Sequence, residues 1–261
     1  MKLSFTKYQG TGNDFIMIDD RKNRFDVDDA ILVARLCHRR FGIGADGLIL
    51  LRTVENYDFR MVYFNADGKE GTFCGNGGRC IADFAKILGI ISEKAHFLAA
   101  DGTHEAKLKD GIVSLKMSNI THIEQKSDSF FLNTGSPHYV AFTDDLIRFD
   151  VRKNGAEIRY NDRFRREGTN VNFVEMYDKS ENAHIFVRTY ERGVEDETLS
   201  CGTGVTASAI SAALKGLSSP VKVRTLGGDL EVSFNKNSEQ DFQNVYLSGA
   251  AQAVYEGIVE I

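Results

Sequence analysis

Two short glycine-bracketed cysteine blocks stand 127 residues apart, Phe73-Cys74-Gly75-Asn76-Gly77 and Ser200-Cys201-Gly202-Thr203-Gly204. Laid one over the other, they bring Tyr63 onto Tyr190, Glu70 onto Glu197, Ala82 onto Ala209 and Gly89 onto Gly216. Downstream, Asp101-Gly102 and Glu105 approach Gly227-Gly228 and Glu231 at a shift of 126; upstream, Thr11-Gly12 meets Thr134-Gly135 at a shift of 123. A single glycine or alanine coincidence means little. Three separated blocks at nearly one offset mark a duplicated unit.

Local patterning repeats with the blocks. Alternation over Asp58–Phe64 and again over His184–Tyr190 predicts a half-buried strand ahead of each cysteine. After Cys74, the apolar residues Ile81, Phe84, Ala85 and Leu88 recur at helical spacing as far as Gly89; Val205 to Lys215 repeats this and stops at Gly216. Short strands follow each helix, over Ile112–Met117 and Leu230–Phe234, and a further helix is expected over about residues 29 to 40. The fold class is therefore α+β: two pseudo-symmetric lobes, each a curled, mostly antiparallel, barrel-like sheet around one small-residue helix. The join falls near Asn119–His122, where no low-complexity linker separates the halves.

Composition removes several function classes. A net charge of -5 leaves no basic footprint for nucleic acid. No apolar run reaches the ~18 residues of a membrane span, and Met1-Lys2-Leu3-Ser4-Phe5 lacks a signal-peptide core, which favours a cytoplasmic protein. Four cysteines in 261 residues are no disulfide framework, and their spacing fits no zinc pattern, so no metal is expected. The glycine-rich turns lack the Lys-Ser/Thr ending of a phosphate loop.

A thiol at a helix start meets the positive end of the macrodipole, which favours its thiolate over the free value of about 8.5. The same N–H groups hold carboxylates well. Glycines at 75, 77, 78, 202 and 204 are read as letting a ligand approach that backbone. Two such halves facing one another would set a thiolate and a thiol on opposite sides of one α-carbon, with N–H groups bonding the charge that builds on the carboxylate. A lone cysteine is more often a buried apolar residue, and Cys37 and Cys80 are read that way. The matched positions of Cys74 and Cys201 reverse that expectation.

With these blocks the chain resembles the diaminopimelate epimerases. The likeness runs from Gly10-Thr11-Gly12-Asn13-Asp14-Phe15 through Phe64-Asn65-Ala66-Asp67-Gly68 and Cys74-Gly75-Asn76-Gly77-Gly78-Arg79-Cys80. It continues through Gly135-Ser136-Pro137-His138, Gly168-Thr169-Asn170-Val171-Asn172-Phe173 and Tyr190-Glu191-Arg192-Gly193 to the second cysteine block. The resemblance implies a cofactor-independent enzyme of lysine biosynthesis that interconverts LL- and meso-diaminopimelate, and a homodimer with its active site in the cleft between lobes. The lobes would span 1–118, joined by a returning strand at 249–261, and 119–248. Cys74 and Cys201 would be the two bases. Gly75, Asn76, Gly202 and Thr203 would cradle the reacting carboxylate. Asn13, Asn65, Asn170 and Arg192 would hold the amino and distal carboxylate groups, while His138 and Glu191 would tune the thiols, Glu191 also anchoring the reacting ammonium.

Arginine grips a carboxylate through two parallel N–H bonds, which suits a substrate with a second carboxylate. Two positions depart from the family pattern: Ser136 stands where many members have Asn, and Gly47 where many have Gln. Other readings are a proline or hydroxyproline racemase with the same cysteine pair, and a non-catalytic amino-acid-binding protein. Facing thiols also raise the expectation of a reversible Cys74–Cys201 link on oxidation.

Overall fold

The computed structural model describes residues 2–177 and 183–261, which separate into two units, Met1–Leu115 with Gly249–Ile261, and Lys116–Ser248. In the first, β1 (Lys2–Gly10), β2 (Asn13–Asp19), α1 (Ala30–Cys37), β3 (Gly47–Arg52) and β4 (Phe59–Asn65) lead to α2 (Gly75–Ile87). Then come β5 (Lys94–Ala99), β6 (Gly102–Lys109) and β7 (Ile112–Lys116). In the second, β8 (Ile123–Lys126), β9 (Ser129–Asn133), β10 (Pro137–Phe142), α3 (Val151–Arg159), β11 (Asn170–Met176), β12 (Ile185–Glu191) and β13 (Asp196–Thr198) lead to α4 (Gly202–Leu214). β14 (Val221–Thr225), β15 (Gly228–Lys236) and β16 (Phe242–Ala250) follow, and β17 (Gln252–Glu260) ends the chain.

The duplication appears in the hydrogen-bond ladders. In the first unit β17, β1 and β2 pair antiparallel, β2–β3 is parallel, β3–β4 antiparallel, β4–β5 parallel, and β5–β6–β7 antiparallel. The second unit runs through the same series: β8–β9–β10 antiparallel, β10–β11 parallel, β11–β12 antiparallel, β12–β14 parallel, β14–β15–β16 antiparallel. Each sheet curls around its own helix. α2 touches β1, β2, β3, β4, β6 and β17; α4 touches β9, β10, β11, β12, β14 and β15. The architecture is α+β with two pseudo-symmetric, barrel-like halves.

Successive strand side chains point to opposite faces. Leu48 and Leu50 of β3 join Ile16, Ile18, Val62 and Phe64 in a core with Val33 and Leu36 of α1. Ile49 faces the other way, toward α2 at Gly77. Helices on both faces explain the unbroken apolar run in β3. In β11, Val171 and Phe173 pack in a core with Val151 of α3, so the alternating Asn170 and Asn172 are left to the opposite face, where α4 lies. A strand covered on one side thus delivers two amides to the other.

α4 is rich in small polar residues, and three of them are fully buried. Thr206, Ser208 and Ser211 each donate to the carbonyl four residues back, at 3.0, 2.8 and 2.9 Å, so no buried hydroxyl among them is orphaned. Gly89 (φ 71°) and Gly216 (φ 108°) lie just past the two central helices in the left-handed region, where other residues are strained.

Two helices differ from the sequence reading. α1 ends at Cys37, not near residue 40, because Ile43 and Gly44 N–H bond the Leu36 carbonyl and Ala45 N–H bonds that of Cys37. α3 has no counterpart in the sequence reading. Its buried face is Val151 and Gly155, and Gly155 lies so close to Tyr190 that an added Cβ would overlap the tyrosine side chain. A helix that buries a glycine gives no apolar period to read.

Candidate active site

Each central helix begins on a cysteine. Cys74 precedes α2 with φ −122° and ψ 118°; Cys201 precedes α4 with φ −118° and ψ 109°. Serine, threonine or aspartate at such a position turns its side chain back onto the first turn. Neither cysteine makes that bond, so both sulfurs are left for other partners. The first intrahelical bonds run from Gly78 N–H to Cys74 O (2.7 Å) and from Val205 N–H to Cys201 O (2.8 Å). The N–H groups of residues 75 to 77 and 202 to 204 lie ahead of those bonds, at the positive end of the helix.

The glycines there have unequal jobs. A Cβ at Gly75 would meet only Leu115, at an ordinary 3.9 Å. At Gly77 it would lie 2.7 Å from Ile49 Cδ1, at Gly78 2.6 Å from Phe73 Cζ, and at Gly204 it would overlap Asn172 Oδ1. Gly77, Gly78 and Gly204 therefore serve close packing within the protein, whereas the space over Gly75 is open to a ligand.

In the first unit, Asn13 Oδ1 lies 3.5 Å from Cys74 Sγ and accepts from Asn76 Nδ2 at 3.3 Å. Asn13 Nδ2 donates to Asp46 Oδ2 at 2.8 Å, and Arg39 bridges Asp46 and Asp14. Burial opposes ionisation of Asp14, but bonds from Arg39 and Lys7 win and hold its carboxyl well below the usual range. Asp46, itself held by Arg39, thus locks the Asn13 amide with its oxygen toward the sulfur. Arg79, fully buried, donates to Thr11 Oγ1 at 2.7 Å and Asn76 Oδ1 at 3.1 Å, while its Nε and Nη1 have no hydrogen-bond partner. Burial lowers its pKa, and the neighbouring Cys80 and Cys74 sulfurs act the other way.

Asn65 is not bonded into this cluster. Its Oδ1 accepts from Tyr63 at 2.9 Å and its Nδ2 reaches the Lys69 carbonyl at 3.4 Å. Gly47 pairs with Asn65 across β3 and β4. A Cβ at Gly47 would sit 2.6 Å from Phe64 O and from the Tyr63 ring, so the structure leaves no room for a longer residue there.

In the second unit His138 is fully buried between Ser136 (Nε2 to Oγ, 3.0 Å) and Asn172 (Nδ1 to Nδ2, 3.1 Å). Burial, reinforced by the charge of Arg192, lowers its pKa to about 3 and keeps the ring neutral. Asn170 donates to Ser136 Oγ (3.0 Å) and the Pro137 carbonyl (3.1 Å), and accepts from Arg192 N–H at 2.9 Å. Thr203 Oγ1 lies 3.4 Å from Ser136 Oγ and 3.5 Å from Cys201 Sγ. Glu191 accepts from Thr198 Oγ1 at 2.8 Å. The exposed Arg192 guanidinium donates to the Glu167 carbonyl at 3.0 Å and, among the described residues, forms no ion pair.

Burial pushes the Cys37 thiol up to about 12 and raises that of Cys80 as well, which fits inert core cysteines. Among the described residues no cluster of three His, Cys, Asp or Glu side chains is placed to hold a metal ion, and no helix is long and apolar enough to cross a membrane. Thr11, Asp46, Arg79 and Asn172 have no role in the sequence reading and Ser136 enters it only as a departure from the family pattern, yet all five hold the assigned residues in place. Arg79 in a run of small helical residues, and Asn172 alternating with Val171 and Phe173, were the available signals.

The family model described as diaminopimelate epimerase matches residues 5–123 and 130–254. A diaminopimelate epimerase of Flavobacterium psychrophilum is 51% identical over 257 residues, covering 97% of this chain and 99% of the relative. One of Chlorobaculum tepidum is 42% identical over 264 residues, covering 97% and 99%. Among solved structures, a PhzF-family phenazine biosynthesis protein of Bacillus anthracis superposes with TM-score 0.78 at 14% identity over the whole of both chains. A hydroxyproline epimerase of Agrobacterium vitis does so with TM-score 0.67 at 13% identity, covering 99% of this chain and 92% of that one. At these identities the solved structures speak to the fold alone.

Proposed function

Since the chain belongs to the diaminopimelate epimerase family, we propose that it interconverts LL- and meso-2,6-diaminopimelate by proton transfer at the α-carbon, without pyridoxal phosphate. The observation that carries this reading is the pair of cysteines ahead of equivalent helices, alike in backbone conformation and unused as caps. One sulfur, as thiolate, takes the α-proton and becomes a thiol. The electron pair passes into the adjacent carboxylate, and the other sulfur returns a proton from the opposite face, ending as the thiolate. The chain leaves this step with the two sulfurs exchanged in protonation.

The carboxylate is assigned to the N–H groups at Gly75 and Asn76 and at Gly202 and Thr203, where charge building in the transition state meets oriented dipoles. Asn13, Asn65 and Asn170 are assigned to the amino and distal groups, and Glu191 to the reacting ammonium and, with His138, to tuning the thiols. Arg192 is assigned to the distal carboxylate, its guanidinium being held by one neutral carbonyl. His138, neutral and bonded to Ser136, is assigned to tuning a thiol. A homodimer, a cytoplasmic location and a place in lysine biosynthesis belong to the same proposal.

Purified protein given LL-diaminopimelate in deuterated water, with no cofactor added, is expected to form the meso isomer with deuterium at the inverted carbon. Cys74→Ala and Cys201→Ala should each abolish inversion. Full turnover by either variant, or preference for L-proline as substrate, would sink the assignment.

A further inference from the structure

The two halves carry different chemistry at matching positions. At the shift of the N-terminal blocks Asn13 corresponds to Ser136, and at that of the cysteines Asn76 corresponds to Thr203. Amides accompany Cys74; hydroxyls accompany Cys201.

Counting donors and acceptors gives each bond of the second set its direction. Asn172 Nδ2 lies 3.1 Å from the Tyr139 carbonyl, which only accepts, so the amide nitrogen is on that side. Its other N–H points at His138 Nδ1, also at 3.1 Å. That ring nitrogen is therefore an acceptor, and the neutral imidazole carries its proton on Nε2. Nε2 donates to Ser136 Oγ at 3.0 Å. Asn170 is locked at both ends, its oxygen by Arg192 N–H and its nitrogen by the Pro137 carbonyl, so it too donates to Ser136 Oγ. With both lone pairs engaged, the Ser136 hydroxyl turns its own proton to Thr203 Oγ1, 3.4 Å away. Thr203, accepting there, has Cys201 Sγ at 3.5 Å for its own proton.

We propose that Ser136 and Thr203 form an oriented hydroxyl relay, with His138 and Asn170 as its fixed donors, that presents the Thr203 O–H to Cys201 Sγ and holds Cys201 as a thiolate before substrate arrives. The proposal rests on the reading of Cys201 as one of the two bases. Ser136 and His138 are positioning residues acting through Thr203. Other charged groups lie on the strands packed against α4: Arg188 pairs with Glu197, Arg224 with Asp229 and Lys236 with Glu239, Glu175 accepts from Leu146 N–H, and Glu191 accepts from Thr198 Oγ1. Lys222 and Glu231 face each other across β14 and β15. In the other half the arrangement is opposite in sense, because Asp46 turns the Asn13 oxygen, an acceptor, toward Cys74.

The test is the ultraviolet titration of thiolate in the full-length Cys74→Ala protein, where Cys37 and Cys80 stay protonated and Cys201 alone responds near neutrality. Its midpoint is expected below the ~8.5 of a free cysteine. Adding Thr203→Val should raise the midpoint by about one pH unit, a tenfold loss of thiolate relative to thiol. Thr203→Ser should restore it to within about twofold in that ratio, and Ser136→Ala should raise it by a smaller step. A merely structural role would lower stability without moving the midpoint. Coincident titrations with and without the Thr203 hydroxyl overturn the relay; if Thr203→Val does not fold, Ser136→Ala decides in the same way. Turnover of diaminopimelate by the unmodified protein is read separately. Absent turnover with a shifted titration sinks the functional reading and leaves the relay, and normal turnover with an unshifted titration does the reverse.

Discussion

Gly204→Ala and Gly77→Ala are the same change at matching positions of the duplication, and the structure predicts unequal outcomes for them. Both residues lie in the first turn of a central helix, where alanine gains roughly 1 kcal/mol over glycine in propensity. At Gly77 the new methyl would press on Ile49 Cδ1 (2.7 Å) and Met61 Cε (3.2 Å), the tips of flexible side chains that can turn aside. Overpacking of this kind costs about 1–3 kcal/mol, and the yielding tips place it at the low end. The net change should be near zero. At Gly204 the methyl would overlap Asn172 Oδ1, with Cγ at 3.3 Å. Asn172 would have to swing away from His138, Tyr139 O and Thr189 Oγ1, breaking three bonds of 3.0–3.1 Å. At about 0.5–1.5 kcal/mol each, plus buried acceptors left bare, the net loss should be about 2–4 kcal/mol. Urea denaturation gives both values. In an Asn172→Ala background the obstruction is gone, so Gly204→Ala should turn from destabilising to neutral or stabilising by up to about 1 kcal/mol. Equal midpoints for the two single variants, or the same loss from Gly204→Ala in both backgrounds, would refute the packing argument.

Arg79→Met should leave urea stability unchanged or raise it by about 1–3 kcal/mol, since a buried guanidinium with two unpartnered nitrogens gives way to an apolar chain of similar length. The same variant should lose at least about tenfold in kcat/KM through release of Asn76 and Thr11; strong destabilisation with activity intact would count against this. His138 sets an acid limit. Its folded pKa of about 3 lies below the ordinary value of 6.5, so between these the unfolded chain binds the extra proton and stability falls as pH falls. The slope is about 1.4 kcal/mol per pH unit for one proton. His138→Gln, which retains an acceptor for Asn172 and a donor for Ser136, should remove that slope between pH 6 and about 4; urea midpoints falling equally in both proteins would contradict it.

The parts of this molecule legible in the sequence are those governed by local backbone rules. Helices after Cys74 and Cys201 stop at Gly89 and Gly216 as their spacing requires, and the strands ahead of them form where read, although β4 and β12 are buried on both faces and not half-buried. What escaped reading is set by contacts between distant residues. α3 is hidden because its buried face includes Gly155, which matters only once Tyr190 lies against it. Ser136 and Thr203 meet across 67 positions, and Asp46 reaches back 33 to hold Asn13. The repeat marks what the halves share; where they differ lies in contacts between residues far apart in the chain.

Those differences bear on the proposed chemistry. A two-base inversion run in both directions needs each sulfur to serve as anion in one direction and as acid in the other. Identical surroundings would give identical thiols, with nothing to decide which one starts ionised. At the 127-residue shift Arg79 corresponds to Thr206, whose hydroxyl is consumed by the Gly202 carbonyl at 3.0 Å. The first half therefore supports an anion at Cys74 with a buried guanidinium acting at a distance, while presenting an acceptor, Asn13 Oδ1, to the sulfur itself. The second half has no charge at that place and instead offers Cys201 an O–H. A guanidinium is always charged, so its support is constant; a hydroxyl can rotate once Cys201 has taken a proton and needs an acceptor in turn. On the proposed two-base reading, unlike supports of this kind would let Cys201 begin as the base and leave Cys74 able to hold the negative charge that the reaction returns.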